Sequence, residues 1–264
     1  MNSINLESML GGISKEGGTV TSALKKGFSA LSLLAIFVAS PVYATDPGTT
    51  LFHENFESGT LSSCKIVGNQ TATVVRLSDC NRVGFFRLNK VSDAKFFSRG
   101  IPQTNSQTNL KVCNKAYRLQ FRLYFPDMKR DHAEETIFTL AQKKVADDGG
   151  QGPISLCIND GQFVFKVAGK TVWCAPYCER RWYNFAIDTI LETPKRHDAS
   201  HGYVNLTVDG CPVSQTPGAN VAAMGPYNTV YGISRPSWNE PVAHRSGLTN
   251  RQVYFDDLKT ILNP

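Results

Sequence analysis

Arg118, Gln120, Arg122 and Tyr124 recur at every second position, so on a strand two guanidiniums, an amide and a phenol share one face. A planar guanidinium grips a carboxylate through two parallel hydrogen bonds. Such a face is either a wall that contacts an acidic ligand or an ordinary solvated sheet surface. Arg235 and Trp238 follow an apolar segment that ends at Ser234, which places them at a rim. There an Arg suits carboxylates and an indole suits stacking on sugar rings, with a Trp that merely packs a loop as the alternative. His132, His197, His201 and His244 fall in polar stretches that read as surface loops, with His132 and His244 the two placed to reach a cleft.

Seven cysteines follow Ala44, at positions 64, 80, 113, 157, 174, 178 and 211. An odd number allows at most three bridges and leaves one thiol over, and spacing alone does not fix the pairing. Cys64 with Cys80 is the best single pairing, since both sit near the ends of a short hairpin-like segment. Cys174 and Cys178 lack a His at zinc-finger spacing, so disulfides in an oxidising compartment are expected in preference to a metal.

The elements that must hold these groups are strands. Tyr117, Leu119, Phe121, Leu123 and Phe125 form the apolar face opposite the arginines, and Pro126 stops the run. Tyr183, Phe185 and Ile187 alternate in the same way, as do Val204, Leu206 and Val208, with a charged loop between them and Asp209-Gly210 as a closing turn. Ile154, Leu156 and Ile158, then Asn159-Asp160-Gly161, then Phe163, Phe165 and Val167 spell a hairpin. Further strands are expected at 51–56, 74–77, 84–88, 94–98, 136–142, 227–234 and 252–261, and a helical turn within 127–135. Many short strands with turns at short spacing predict an all-β, two-sheet antiparallel sandwich or jelly roll.

The chain has 264 residues, 41% hydrophobic and 19% charged, which is enough for one large β domain with a core. Lys25 and Lys26 precede an apolar run from Phe28 to Ala39, and Val42-Tyr43-Ala44 has the small-x-small pattern of a signal-peptide cleavage site. Residues 1–44 are therefore expected to be a leader and 45–264 the secreted or periplasmic domain. The apolar run falls short of the roughly 20 residues a span needs, so no membrane span is expected in the mature protein. The formal charge of +6 is mild and dispersed. It suits an anionic polysaccharide and lacks the clustered basic stripe of a nucleic-acid binder.

In order, FHENFESGTL, YRLQFRLYFP, IFTLAQKK, GPISLCINDGQFVF, RRWYNFAIDTI, HGYVNLTVDG with PGAN, YGISRPSW and VYFDDLKTI resemble the secreted polysaccharide lyases with a concanavalin-A-like jelly roll, the heparin-lyase-I-like and glucuronan-lyase-like group. The resemblance spans most of 51–262. It implies a β-elimination site in which Arg or Gln neutralises a uronate carboxylate while His and Tyr move protons. On that basis Arg99 and Gln142 would face the carboxylate. Ile101 stands where the family has Glu, Lys144 where it has the His, and Ser234 where it has the Tyr. Lys144 is the available substitute base, or a solvated lysine at a strand end. The resemblance also implies a structural Ca2+ near Glu57 and Asp256, flanked by Glu54 and Asp257, with solvated turn acids as the alternative. Two functions follow: a carbohydrate-binding protein of lyase-like fold that grips an acidic, uronate-containing glycan, or an active lyase with an unconventional base.

Overall fold

The computed structural model describes residues 48–61, 65–67, 71–78, 81–89, 103–105, 110–111, 115–127, 130, 132–142, 151–194, 201–235 and 248–263. The leader, Arg99, Lys144, Trp238, His197, His244, Cys64, Cys80, Cys113 and the strand expected at 94–98 lie outside these residues.

Alternation becomes strand throughout. The strands are β1 (Thr49–Glu54), β2 (Lys65–Val67), β3 (Thr71–Ser78), β4 (Asn81–Asn89), β5 (Gln103–Asn105), β6 (Ala116–Tyr124), β7 (Glu135–Gln142) and β8 (Ile154–Asn159). They continue with β9 (Gln162–Val167), β10 (Lys170–Pro176), β11 (Trp182–Ile190), β12 (Tyr203–Val208), β13 (Cys211–Pro217), β14 (Tyr227–Ser234) and β15 (Asn250–Asn263). One sheet runs β13-β12-β11-β6-β15-β4-β3, with β1 also on β15; the other runs β10-β9-β8-β7-β14-β5-β2. Their pairings are antiparallel, so the architecture is the two-sheet jelly-roll sandwich that the alternation predicts.

The two inner faces meet around Phe121, which stacks on Phe138 at 5.1 Å and on Phe185 at 5.2 Å and meets Tyr231 edge-on at 5.6 Å. Removing such a ring costs about 3–5 kcal/mol in a comparable core. Toward one end an ionic link joins the sheets. Glu135 of β7 is fully buried and accepts from Arg235 just past β14 and from Arg251 Nε of β15 at 2.6 Å. Burial pushes the Glu135 carboxyl above its ordinary range, against the pull of both guanidiniums. At another edge Phe56, with φ of +61°, lays its ring over Gly84, where an added Cβ would come within 2.7 Å of it. Gly84 is therefore the residue that makes room for Phe56.

Four strands, β2, β5, β10 and β13, fall outside the segments expected from sequence. β10 and β13 are outer strands with the same mostly exposed pattern, so neither carries an apolar period to read. Each follows a turn of two left-handed residues, Ala168-Gly169 and Asp209-Gly210, like the Asp160-Gly161 turn between β8 and β9. The helical turn expected in 127–135 is replaced by bends among its described residues. The four described cysteines are free, with Cys157 buried and Cys174, Cys178 and Cys211 exposed. No disulfide forms among them.

Candidate functional site

Register decides which side chains share the outer face of the eight-stranded sheet. Arg122 of β6 lies opposite Asn184 of β11 and Asp256 of β15, and Gln120 opposite Ala186 and Lys259. Arg118 lies opposite Asp188, which lies opposite Asn205, and His53 of β1 lies opposite Lys259. Cross-strand neighbours on one face touch, and these rows wall an open groove of about 650 Å³ lined by Arg118, Gln120, Arg122, Asn184, Asp188, Lys259, His53 and Asp257 among others.

The arginines are held in place. Arg118 donates from Nε to Asp188 Oδ1 at 2.7 Å and from Nη2 to Oδ2 at 3.1 Å, while its side chain stays 47% exposed. That fork fixes the guanidinium plane and leaves its remaining N–H groups for a ligand. Arg122 donates to Asp256 Oδ2 at 3.1 Å, lies 3.7 Å from Asp257, and sits 4.8 Å over the Trp182 ring. The two adjacent acids reach it because β15 bulges there: Asp257 has φ of +49° and the pairing with β6 shifts between Asp256 and Lys259. Burial, then the neighbouring Asp257 charge, pushes the Asp256 carboxyl up to about 6.

The same contacts bear on the expected calcium. Asp256 Oδ1 accepts from the Asp257 N–H at 2.9 Å and Oδ2 from Arg122, while Glu57 Oε1 accepts from the Arg82 N–H at 3.0 Å. Glu54 is buried and uses Oε1 to accept from the Phe56 N–H at 2.8 Å. Asp256 and Glu57 thus have protein donors and Arg122 sets a positive charge beside Asp256, while Glu54 Oε2 is buried without a hydrogen-bond partner. Among the described residues no three acidic, His or Cys side chains form a metal-ligand group.

The seven-stranded sheet, which carries Gln142, offers a different outer face. Tyr227 lies opposite Gln142 and Tyr231 opposite Phe138, so Gln142 is directed to the core side of β7, at its end. An added Cβ on Gly225 would meet its Nε2 at 2.8 Å. Tyr231 is fully buried in the core, as its phase against Ser234 predicts. The outward positions of β7 and β14 hold Thr139, Ala141, Asn228, Val230 and Ser234, all buried and none titratable. Beside them Lys166 bonds both Glu134 oxygens at 2.6 Å above Cys157, whose thiol burial pushes up to about 12.

Of the residues singled out from sequence, Arg118, Arg122 and the Asp256-Asp257 pair come together in one place. Arg235 does not stand at a rim: its guanidinium is buried against Glu135, because position 235 continues the core-facing phase of Tyr231 and Ile233. His132 is 89% exposed beside Asp160 on the other sheet's hairpin, away from the groove. Gln120 and Tyr124 were visible in the alternation. His53, Asn184, Asp188 and Lys259 were not, since only pairing brings them to the same surface.

No protein-family model matches the sequence and no curated protein matches it. Solved structures do. An endo-β-1,4-glucuronan lyase from the fungus Trichoderma reesei is similar with a TM-score of 0.63 and 15% identity over 81% of this chain and 95% of that one. A GH131 β-glucanase catalytic domain from Podospora anserina gives 0.53 at 12% identity, covering 81% and 96%. The binding domain of botulinum neurotoxin serotype C1 gives 0.52 at 10% identity, covering 81% of this chain and 48% of that one. At such identities the likeness establishes the fold, one shared by enzymes and binding domains.

Proposed function

We propose that this protein binds an acidic, uronate-bearing glycan in the groove on its eight-stranded sheet, as a secreted carbohydrate-binding relative of the lyase fold. The observation that carries this reading is Arg118, half-exposed yet locked in plane by Asp188, with Lys259, Gln120 and Asn184 around it. Planar amides and guanidiniums pair with vicinal hydroxyls and carboxylates, and Lys259 adds a point charge. The glucuronan and β-glucan named for the fold's neighbours make such polymers the natural first ligands to test.

Cleavage is the second reading, favoured by one observation: His53, Gln120 and two arginines line the same groove. A base there would take the proton beside the uronate carboxylate, a carbon–carbon double bond would form, and the glycosidic C–O bond would break as an acid protonates the leaving oxygen. Calorimetric titration of residues 45–264 with glucuronan, read alongside the ultraviolet absorbance of the unsaturated product, separates the two. Saturable binding with a flat absorbance trace supports binding alone. A rising trace that His53→Ala abolishes establishes the lyase, and neither signal ends both readings. N-terminal sequencing of exported protein, expected to begin at Thr45, tests the leader.

A further inference from the structure

Beyond the groove, the register aligns one more row on the same face. Phe85 of β4 lies opposite Tyr254 of β15, Tyr254 opposite Tyr124 of β6, and Tyr124 opposite Trp182 of β11. Four rings on four adjacent strands thus stand in one line, with successive centroids 5.1, 5.6 and 5.3 Å apart. None belongs to the core, and each is partly exposed. Cross-strand aromatic pairs stabilise a sheet by about 0.2–1 kcal/mol each, which accounts for two neighbouring rings but gives no reason for an unbroken line left partly open to solvent.

The row is continuous with the groove. Arg122 lies over Trp182 and bonds Asp256, so a stacking surface passes directly into a hydrogen-bonding one. We infer that the Phe85–Tyr254–Tyr124–Trp182 row is an extended subsite on which successive pyranose rings of a glycan chain stack their C–H faces. This rests on the groove being the glycan site and adds the polymer's length and its apolar face to what is recognised. A line one ring wide, bordered by a charged row, suits a narrow chain with alternating apolar and hydroxyl surfaces. Ring stacking carries no net charge, so this part of the affinity is insensitive to salt and is shared by neutral β-glucan, whereas the groove's part is screened.

The test titrates the protein with two-unit and six-unit oligomers of glucuronan and of neutral β-1,4-glucan, by calorimetry and tryptophan fluorescence. Phe85 is two strands from Tyr124 and lies outside the groove's lining. Phe85→Leu is expected to weaken six-unit oligomers several-fold and leave two-unit oligomers unchanged, and Trp182→Phe to remove the fluorescence response to sugar. Thermal melts confirm that both variants fold. Ring variants that titrate like the parent with every oligomer overturn the inference, while loss of binding in Arg118→Ala at the same time upholds the groove. The reverse pattern, an Arg118→Ala protein that binds normally and a Phe85→Leu protein that does not, upholds the row and sinks the acidic groove. Self-association that Phe85→Leu abolishes, with no sugar response in the parent, assigns the row to a protein interface and overturns the inference.

Discussion

The two outer faces of this sandwich are built from equally regular strands and yet carry opposite kinds of surface. On the eight-stranded sheet the outward positions of β6, β11 and β15 are guanidiniums, amides, carboxylates and partly open rings. On β7 and β14 of the other sheet they are small or neutral and buried. The resemblance to lyases directs attention to the second face, because Gln142 and the Ser234 position lie on its strands. Among the described residues the open polar groove lies on the first, and Arg99 and Lys144 fall outside them. A fold-level likeness therefore transfers the scaffold, while which sheet presents a ligand site is decided by the outward half of each strand's alternation.

The widest separation between the faces should come from two alanines at equivalent outward positions. Ala141 is buried on β7 and Ala186 lines the groove on β11. Ala141→Asp strands a carboxylate where nothing solvates it and is expected to cost several kcal/mol, enough to abolish a cooperative melt. Ala186→Asp is expected to stay within about 1 kcal/mol of the parent and to lose affinity for glucuronan by charge repulsion. Equal melting temperatures for the two would erase the distinction.

Next in size is binding itself. Arg118→Ala combined with Lys259→Ala removes two charge-assisted contacts worth about 1.5–3 kcal/mol each, an expected loss of at least tenfold in glucuronan affinity. Asn228→Ala, on the closed face, is expected to leave affinity unchanged. Calorimetry at low salt reads both.

A smaller effect is tied to pH. The folded Asp256 carboxyl titrates at about 6, against roughly 3.9 in an unfolded chain. Between those values the folded state keeps a proton that the unfolded state has released. The contribution of Asp256 thus favours the fold below this window and is lost as pH rises through it. Asp256→Asn should flatten that part of the stability profile, measured by urea unfolding from pH 4 to 7. Least of all, calcium is expected to leave the melting temperature unchanged while Arg122 is present, since Arg122 already faces Asp256 and Asp257 and Glu57 accepts from the Arg82 N–H. A clear rise in the parent would give the site back to a metal.

How much of this was legible beforehand follows from what alternation encodes. Period two identified β6, β8, β9, β11 and β12, and with them the sandwich, because each turns one apolar face to a shared core. It also put Arg118, Gln120, Arg122 and Tyr124 on one surface. It could not say that Asp188, Lys259 and His53 join them, since register between strands distant in sequence is a three-dimensional fact. Arg235 misled because a charged residue after a strand ordinarily faces water; the compensating Glu135 lies 100 residues away. The bulge in β15 did leave a trace. Val253 and Phe255 point to the core, and after two consecutive acids Leu258 does so again, one step out of phase. A break in period with paired acids at the break is how such a bulge reads in sequence.

Cys157 carries a practical consequence. Buried beneath the Glu134–Lys166 pair with its thiol held protonated, it is closed to alkylating reagents in the folded state, whereas Cys174, Cys178 and Cys211 stand exposed. With the other six cysteines replaced by serine, the labelling of Cys157 becomes a clock that ticks only when the seven-stranded sheet opens. Slower ticking on addition of glycan would register ligand on one face from a thiol on the other.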